Sequence, residues 1–105
     1  MSLQHVVLFG FPEELPAGDD AELRRQVASW PAAIGGMTAL RLGRPLSSER
    51  TRGYQYLLYM EFPDEAALGA YQRHPVHQAF VAWASERASA VLAFDYLLDA
   101  GTVIV

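Results

Sequence analysis

The chain of 105 residues contains no cysteine and no lysine, and its 8 basic residues are all arginine. The absence of cysteine excludes disulfides, thiolate nucleophiles and cysteine-ligated zinc or iron–sulfur sites. It fits a reducing compartment, and we expect a cytoplasmic protein. With 12 acidic residues the formal net charge is −4 and no basic run occurs. We therefore do not expect nucleic acid as a partner.

Long apolar runs are also lacking. The N-terminus enters a strand-like stretch by Val6 without a basic segment before it. We therefore expect neither a signal peptide nor a membrane span, and no membrane partner. What the chain does have is a hydrophobic fraction of 51%, enough for a real core. The length fits one domain over residues 1–105.

Turn residues divide the chain into four strand-like and two helical segments. Asp19 and Asp20 are candidate caps for the first helix, and Asp64 is the candidate cap for the second. Pro75 should interrupt that second helix, because proline lacks an N–H and disfavours helical angles at His74. The predicted strands cover residues 3–11, 37–43, 54–62 and 90–98, and the predicted helices cover 21–33 and 64–87.

The resulting order, β-α-β-β-α-β, predicts an α+β ferredoxin-like fold. In this fold a four-stranded antiparallel sheet carries both helices on one face. The other face should also be apolar, and a homodimer packed sheet against sheet would cover it. We expect the apolar tail, residues 102–105, to pack on the body or on a neighbouring subunit. The residues assigned to the uncovered face are Val6, Leu8, Leu57, Tyr59 and Ala93.

One helical face combines apolar residues with a titratable group. His77, Phe80, Val81 and Ala84 follow the i, i+3, i+4, i+7 spacing of a buried helix face. Tyr71 should reach the same interior from the turn before the break. The simplest interpretation is a core histidine bonded to a main-chain carbonyl. The alternative is a pocket with acid–base groups.

Four segments resemble the stress-responsive dimeric α/β-barrel (Dabb) domain family, and together they span essentially the whole chain. They are residues 5–9 (HVVLF), 62–68 (FPDEAAL), 71–80 (YQRHPVHQAF) and 94–96 (FDY). The resemblance implies a dimer that closes a barrel between two sheets. Some members of the family are cofactor-independent cyclases that use a His and a Tyr as acid and base. By position these residues are His77 and Tyr71, with His5 in the same pocket. Tyr56 stands where such cyclases carry a further histidine.

We therefore expect a pocket between sheet and helices for a small, largely apolar ligand, possible cofactor-independent acid–base catalysis by His77 and Tyr71, and no cofactor. The expected ligand-binding residues are His5, Tyr56, Phe80 and Trp83. One alternative is a non-catalytic, stress-associated binding or structural dimer, in which His77 bonds to main chain and no cavity holds more than a few waters. Another is the monooxygenase-like activity of the related dimeric barrels.

Two further features have weaker interpretations. His5, His74 and His77 are candidate metal ligands, but Pro75 disturbs the register that would make the latter two converge. The arginine-rich segment 44–53 could recognise a carboxylate or a phosphate, whereas a solvated loop is the simpler interpretation.

Overall fold

The computed structural model describes residues 2–105 as four strands and three helices. The elements are β1 (Leu3–Gly10), α1 (Ala17–Ala33), β2 (Ala39–Gly43), β3 (Tyr54–Phe62), α2 (Glu65–Arg73), α3 (Pro75–Ser85) and β4 (Ala90–Leu97). The strands form one antiparallel sheet in the order β2-β3-β1-β4. The predicted ferredoxin-like α+β fold is confirmed.

β1 lies in the centre of the sheet and sends alternate side chains to its two faces. Leu3, His5, Val7 and Phe9 are buried on the face that the helices cover. In the register of the sheet, His5 lies between Met60 of β3 and Asp95 of β4. The helix-covered face thus holds the hydrophobic core and a central histidine.

The first helix begins at Ala17, earlier than the predicted Ala21. Pro16 is the N-cap residue and provides no side-chain hydrogen bond, so the predicted capping role of Asp19 and Asp20 is wrong. Both aspartates lie inside the first turn, where the positive end of the helix dipole favours their charge. The predicted cap of α2 is present: Asp64 accepts a 2.8 Å hydrogen bond from the Ala67 amide.

The opposite sheet face is open and largely apolar, as predicted. However, one of the five residues assigned to it, Ala93, lies on the other face. Ala93 pairs with Val7 and therefore faces the helices. The β4 residues on the open face are Leu92, Phe94 and Tyr96, which are 41%, 62% and 39% exposed.

The C-terminal tail does not pack on the body of its own chain. Val103 and Val105 are fully exposed or nearly so, which overturns that half of the prediction. Within residues 2–105, the helices are too short or too polar to cross a membrane.

Candidate functional site

A cavity of about 350 Å³ lies between the sheet and the α2–α3 pair. Its walls are mainly aliphatic and aromatic, and three side chains capable of proton transfer, those of His5, Tyr71 and His77, reach it. Phe80 also lines it. The structure thus brings together four of the six residues that the sequence singled out. The other lining residues are Val7, Phe9, Leu58, Gln72, Val81, Ala84, Ser85, Val91 and Ala93.

The break between α2 and α3 sets the geometry of Tyr71 and His77. Tyr71 lies in the last turn of α2 and His77 in the first turn of α3. In one continuous helix, six residues would turn by about 600°, so the two side chains would point roughly 120° apart. Because the chain leaves helical angles at His74, the two ring centroids lie only 4.2 Å apart.

His77 is partly buried and bonded on one side to the main chain. Its Nδ1 lies 3.2 Å from the carbonyl oxygen of Gln72. A carbonyl can only accept, so Nδ1 carries the hydrogen and donates it, which leaves the Nε2 lone pair as the acceptor. Burial lowers the pKa of His77, the Gln72 carbonyl partly opposes this, and nearby His5 lowers the pKa further. The imidazole is therefore neutral at neutral pH.

Tyr71 is 1% exposed and lies against the aromatic rings of Phe62 and Trp30. Burial alone raises the pKa of its hydroxyl, because the phenolate would lose its hydration. At neutral pH the side chain is an uncharged phenol. Its hydroxyl makes no hydrogen bond to protein groups within residues 2–105, so it is available to a ligand as a donor.

His5 makes a side-chain hydrogen bond that sequence reasoning did not find. The Nδ1 atom of His5 bonds to Oδ1 of Asp95, the residue opposite it on β4. The His5 side chain is 6% exposed and that of Asp95 is 36% exposed. An ionised carboxylate only accepts, so Nδ1 donates and Nε2 is the atom left for other partners. The sequence feature that could have indicated this bond is Asp95 itself, the one acidic residue in the otherwise apolar strand β4.

A family model, the Stress responsive A/B Barrel Domain (Dabb), matches residues 3–98. The chain belongs to the Dabb family. None of the curated proteins matches this sequence.

Several solved structures have the same fold as this Dabb chain. A Dabb protein from Mesorhizobium loti is 28% identical, with a TM-score of 0.76 over 91% of this chain and 95% of the other. A dimeric ferredoxin-like protein of unknown function from Jannaschia is 26% identical, with a TM-score of 0.75 over 93% and 100%. Hydroxynitrile lyase from Passiflora edulis has a TM-score of 0.85 over 97% of both chains, but at 12% identity this likeness concerns the fold alone.

Two predicted ligand-binding residues lie outside the cavity of this Dabb chain. The Tyr56 hydroxyl donates a 2.5 Å hydrogen bond to Asp20 of α1. Burial, followed by this bond to a carboxylate, raises the pKa of Tyr56 to about 12. The guanidinium of Arg87 stacks on the Trp83 ring, with 4.4 Å between the guanidinium carbon and the ring centroid. Both side chains are thus engaged elsewhere: Tyr56 by an aspartate that tertiary packing brings close, and Trp83 by an arginine four residues later in the chain.

The three histidines of the Dabb chain do not form a metal site. His74 is engaged by its own backbone neighbour, since its Nδ1 accepts a 3.1 Å hydrogen bond from the Val76 amide. Within residues 2–105, no group of three or more potential metal-ligating side chains comes together.

Proposed function

We propose that the cavity binds a small, largely apolar carbonyl compound and that its side chains catalyse proton transfer without a cofactor. The observation that carries the proposal is one apolar cavity holding both a neutral imidazole and an unpaired phenol. Its volume of about 350 Å³ suits a small organic ligand, since such pockets are usually mostly apolar with a few polar groups.

His77 has the properties of a general base in this cavity. Its Nε2 lone pair would take a proton from the carbon next to the carbonyl. The electron pair of that C–H bond would form a C=C bond, while the π electrons of the carbonyl would move onto its oxygen and give an enolate. The bond from Nδ1 to Gln72 holds the ring orientation during this transfer. The resulting imidazolium would return the proton in the second half of the reaction.

Tyr71 would stabilise the developing negative charge. A phenol in an apolar site is a strong hydrogen-bond donor to an oxyanion, because little water competes for it. Its ring is in contact with that of His77, with 4.2 Å between the ring centroids, so one small carbonyl compound in the cavity could contact both side chains. His5, held by Asp95, would accept a hydrogen bond from a ligand hydroxyl through Nε2 and so orient the ligand.

A non-catalytic binding or structural dimer is the second candidate. The bond between His77 and the Gln72 carbonyl is the contact that this alternative expects. The cavity of about 350 Å³ is far larger than the filled space it expects. The monooxygenase-like alternative rests on likeness of fold, which does not specify a reaction.

The experiment titrates the protein with a panel of planar phenols and linear polyketones, followed by calorimetry, and assays conversion by mass spectrometry. We expect Tyr71→Phe to reduce turnover roughly a hundredfold, as loss of one oxyanion donor does. We expect His77→Ala to reduce it by about 10² to 10⁴, the usual contribution of a general base. Tyr96→Phe and His74→Asn are the matched controls, because they remove a hydroxyl and an imidazole outside the cavity.

Two different results would contradict the proposed catalysis. Normal conversion by both Tyr71→Phe and His77→Ala would exclude the assigned roles. Binding that depends on these residues, without conversion of any compound by the wild type, would establish the non-catalytic alternative.

We further propose that the chain forms a homodimer through its open sheet face. The support is a continuous apolar surface on β1, β3 and β4 that includes Leu57, Leu92 and Phe94, each more than 40% exposed. Related structures with this fold, such as the one from Jannaschia, are dimeric. A face of this kind is typical of an interface.

A further inference from the structure

The break between α2 and α3 leaves the two proposed catalytic rings on different helices. Tyr71 belongs to α2 and His77 to α3, and one extended residue, His74, separates the two helices. A continuous helix would fix the relation between two of its side chains. A single extended residue does not, because its two backbone dihedrals are soft. Some other contact must therefore hold the two rings together.

Trp30 of α1 makes such a contact. The centroid of its indole lies 5.5 Å from the ring centroid of Tyr71 and 5.8 Å from that of His77. It also lies 5.0 Å from the ring centroid of Phe80, three residues further along α3. All three pairs are edge-to-face, an arrangement that aromatic rings prefer. One side chain from a helix remote in sequence thus contacts rings on both sides of the break.

The indole lies behind the cavity wall and not in it. Trp30 is 0% exposed and is not one of the residues that line the cavity, so a ligand there would contact Tyr71 and His77 without touching the indole. The Nε1–H of Trp30 has no hydrogen-bond partner within residues 2–105. A buried donor without a partner is costly, and phenylalanine would avoid this cost. Its smaller ring has less edge to share among three neighbouring rings, which favours the larger indole at this position.

We propose that Trp30 is a positioning residue, which holds Tyr71 and His77 in the mutual orientation that proton transfer in the cavity requires. The inference rests on the proposed function for its chemistry, whereas the orientation of the two rings does not depend on it. Loss of the indole would let α2 and α3 shift relative to each other while every group that touches the ligand stays in place in the sequence. A displacement of about 1 Å at a reacting group can lower a rate roughly a hundredfold.

The first experiment measures the ring orientation by NMR without a ligand. In the wild type, ring protons of Tyr71 and His77 should show a nuclear Overhauser effect, because the two ring centroids are 4.2 Å apart. We expect Trp30→Leu to lose this signal and Trp30→Phe, which keeps a ring, to retain it. Leu23→Ala is the matched control, since Leu23 is equally buried in α1 and lies outside the cavity lining. Retention of the signal in Trp30→Leu, or its equal loss in Leu23→Ala, would overturn the proposal.

The second experiment compares kinetic constants for a compound that the wild type converts. Trp30→Leu should lower kcat about a hundredfold with little change in ligand affinity, because the indole does not touch the ligand. Leu23→Ala should leave both quantities near their wild-type values. In a His77→Ala background, Trp30→Leu should have no further effect on turnover, since a residue that acts through another has no effect once that other residue is removed. An undiminished effect in that background would contradict the positioning role.

Failure of this inference can be told apart from failure of the proposed function. If no compound is converted but Trp30→Leu loses the signal between Tyr71 and His77, the proposed catalysis is wrong and the positioning role holds. If the wild type converts a compound and Trp30→Leu keeps both the signal and the turnover, the catalysis holds and the positioning role is wrong. Trp30→Met, whose flexible side chain fills irregular space, replaces the leucine variant if that variant does not fold.

Discussion

At the scale of single residues, His77 is held in a site that disfavours its charged form. Burial is the main cause of its lowered pKa, which lies below the ordinary value of 6.5. Between the folded-state pKa and about 6.5, the unfolded chain binds a proton that the folded chain does not. This contribution to stability is therefore fully present above the unfolded-state pKa and is lost as the pH falls through the folded-state pKa.

We expect the free energy of unfolding to fall more between about pH 7.5 and about pH 5.5 in the wild type than in His77→Gln. Glutamine does not titrate and keeps an N–H donor for the Gln72 carbonyl, so it isolates the effect of protonation. Urea unfolding at both pH values measures the difference. An identical loss in both proteins would show that His77 is not desolvated as described.

The residues at the cavity differ in how far sequence alone could identify them. His77 and Tyr71 were predictable because helical spacing places both toward the core and Pro75 marks the break between them. Asp95 was not predictable as the partner of His5, because their proximity depends on the β1–β4 register. The bond from Tyr56 to Asp20 likewise depends on how α1 packs over the sheet, which no local pattern reveals.

At the scale of secondary-structure elements, His74 both ends α2 and begins α3. Its extended backbone interrupts the helix, and its ring accepts the 3.1 Å bond from the Val76 amide. Pro75 follows at the first helical position, where its missing N–H has no cost. These two residues together maintain the break that places Tyr71 against His77.

We expect His74→Ala to lower the free energy of unfolding by about 1 kcal/mol, the usual effect of losing an N-cap. His74→Asn should retain most of the stability, because asparagine is a good cap. Chemical denaturation of the three proteins at neutral pH measures this. Equal losses in the two variants would mean that the ring stabilises the chain by packing, and that its hydrogen bond to Val76 contributes little.

Sequence reasoning located the elements better than their ends and faces. The β3 strand was predicted with its observed bounds, because its alternation lies between clear turn signals. The start of α1 was misplaced because a proline without a side-chain cap begins it. Ala93 was misplaced because both faces of β4 are apolar, so composition could not distinguish them.

At the scale of the whole molecule, the open sheet face has two chemically different parts. Leu8, Leu57 and Leu92 form an apolar row across three strands. Toward the other end of the strands, Gln4 donates a 2.9 Å hydrogen bond to Glu61 and accepts one from Tyr59. In the proposed dimer, the partner would bury this apolar row and would also face the polar residues at the other end of the strands. Matching both parts at once favours one specific two-fold arrangement over random association.

Phe94 offers a direct test of this pairing because it is the most exposed large apolar residue on that face, at 62%. Phe94→Asp would place two carboxylates, one from each subunit, in an apolar interface. An unpaired buried charge costs about 3–5 kcal/mol, so the dimer dissociation constant should rise at least about a hundredfold. Sedimentation equilibrium measures this dissociation constant.

Leu46→Asp is the matched control, since Leu46 is fully exposed in the β2–β3 loop and its change should leave the dimer intact. A wild-type chain that sediments as one copy, or equal dissociation in both variants, would exclude the sheet-face dimer.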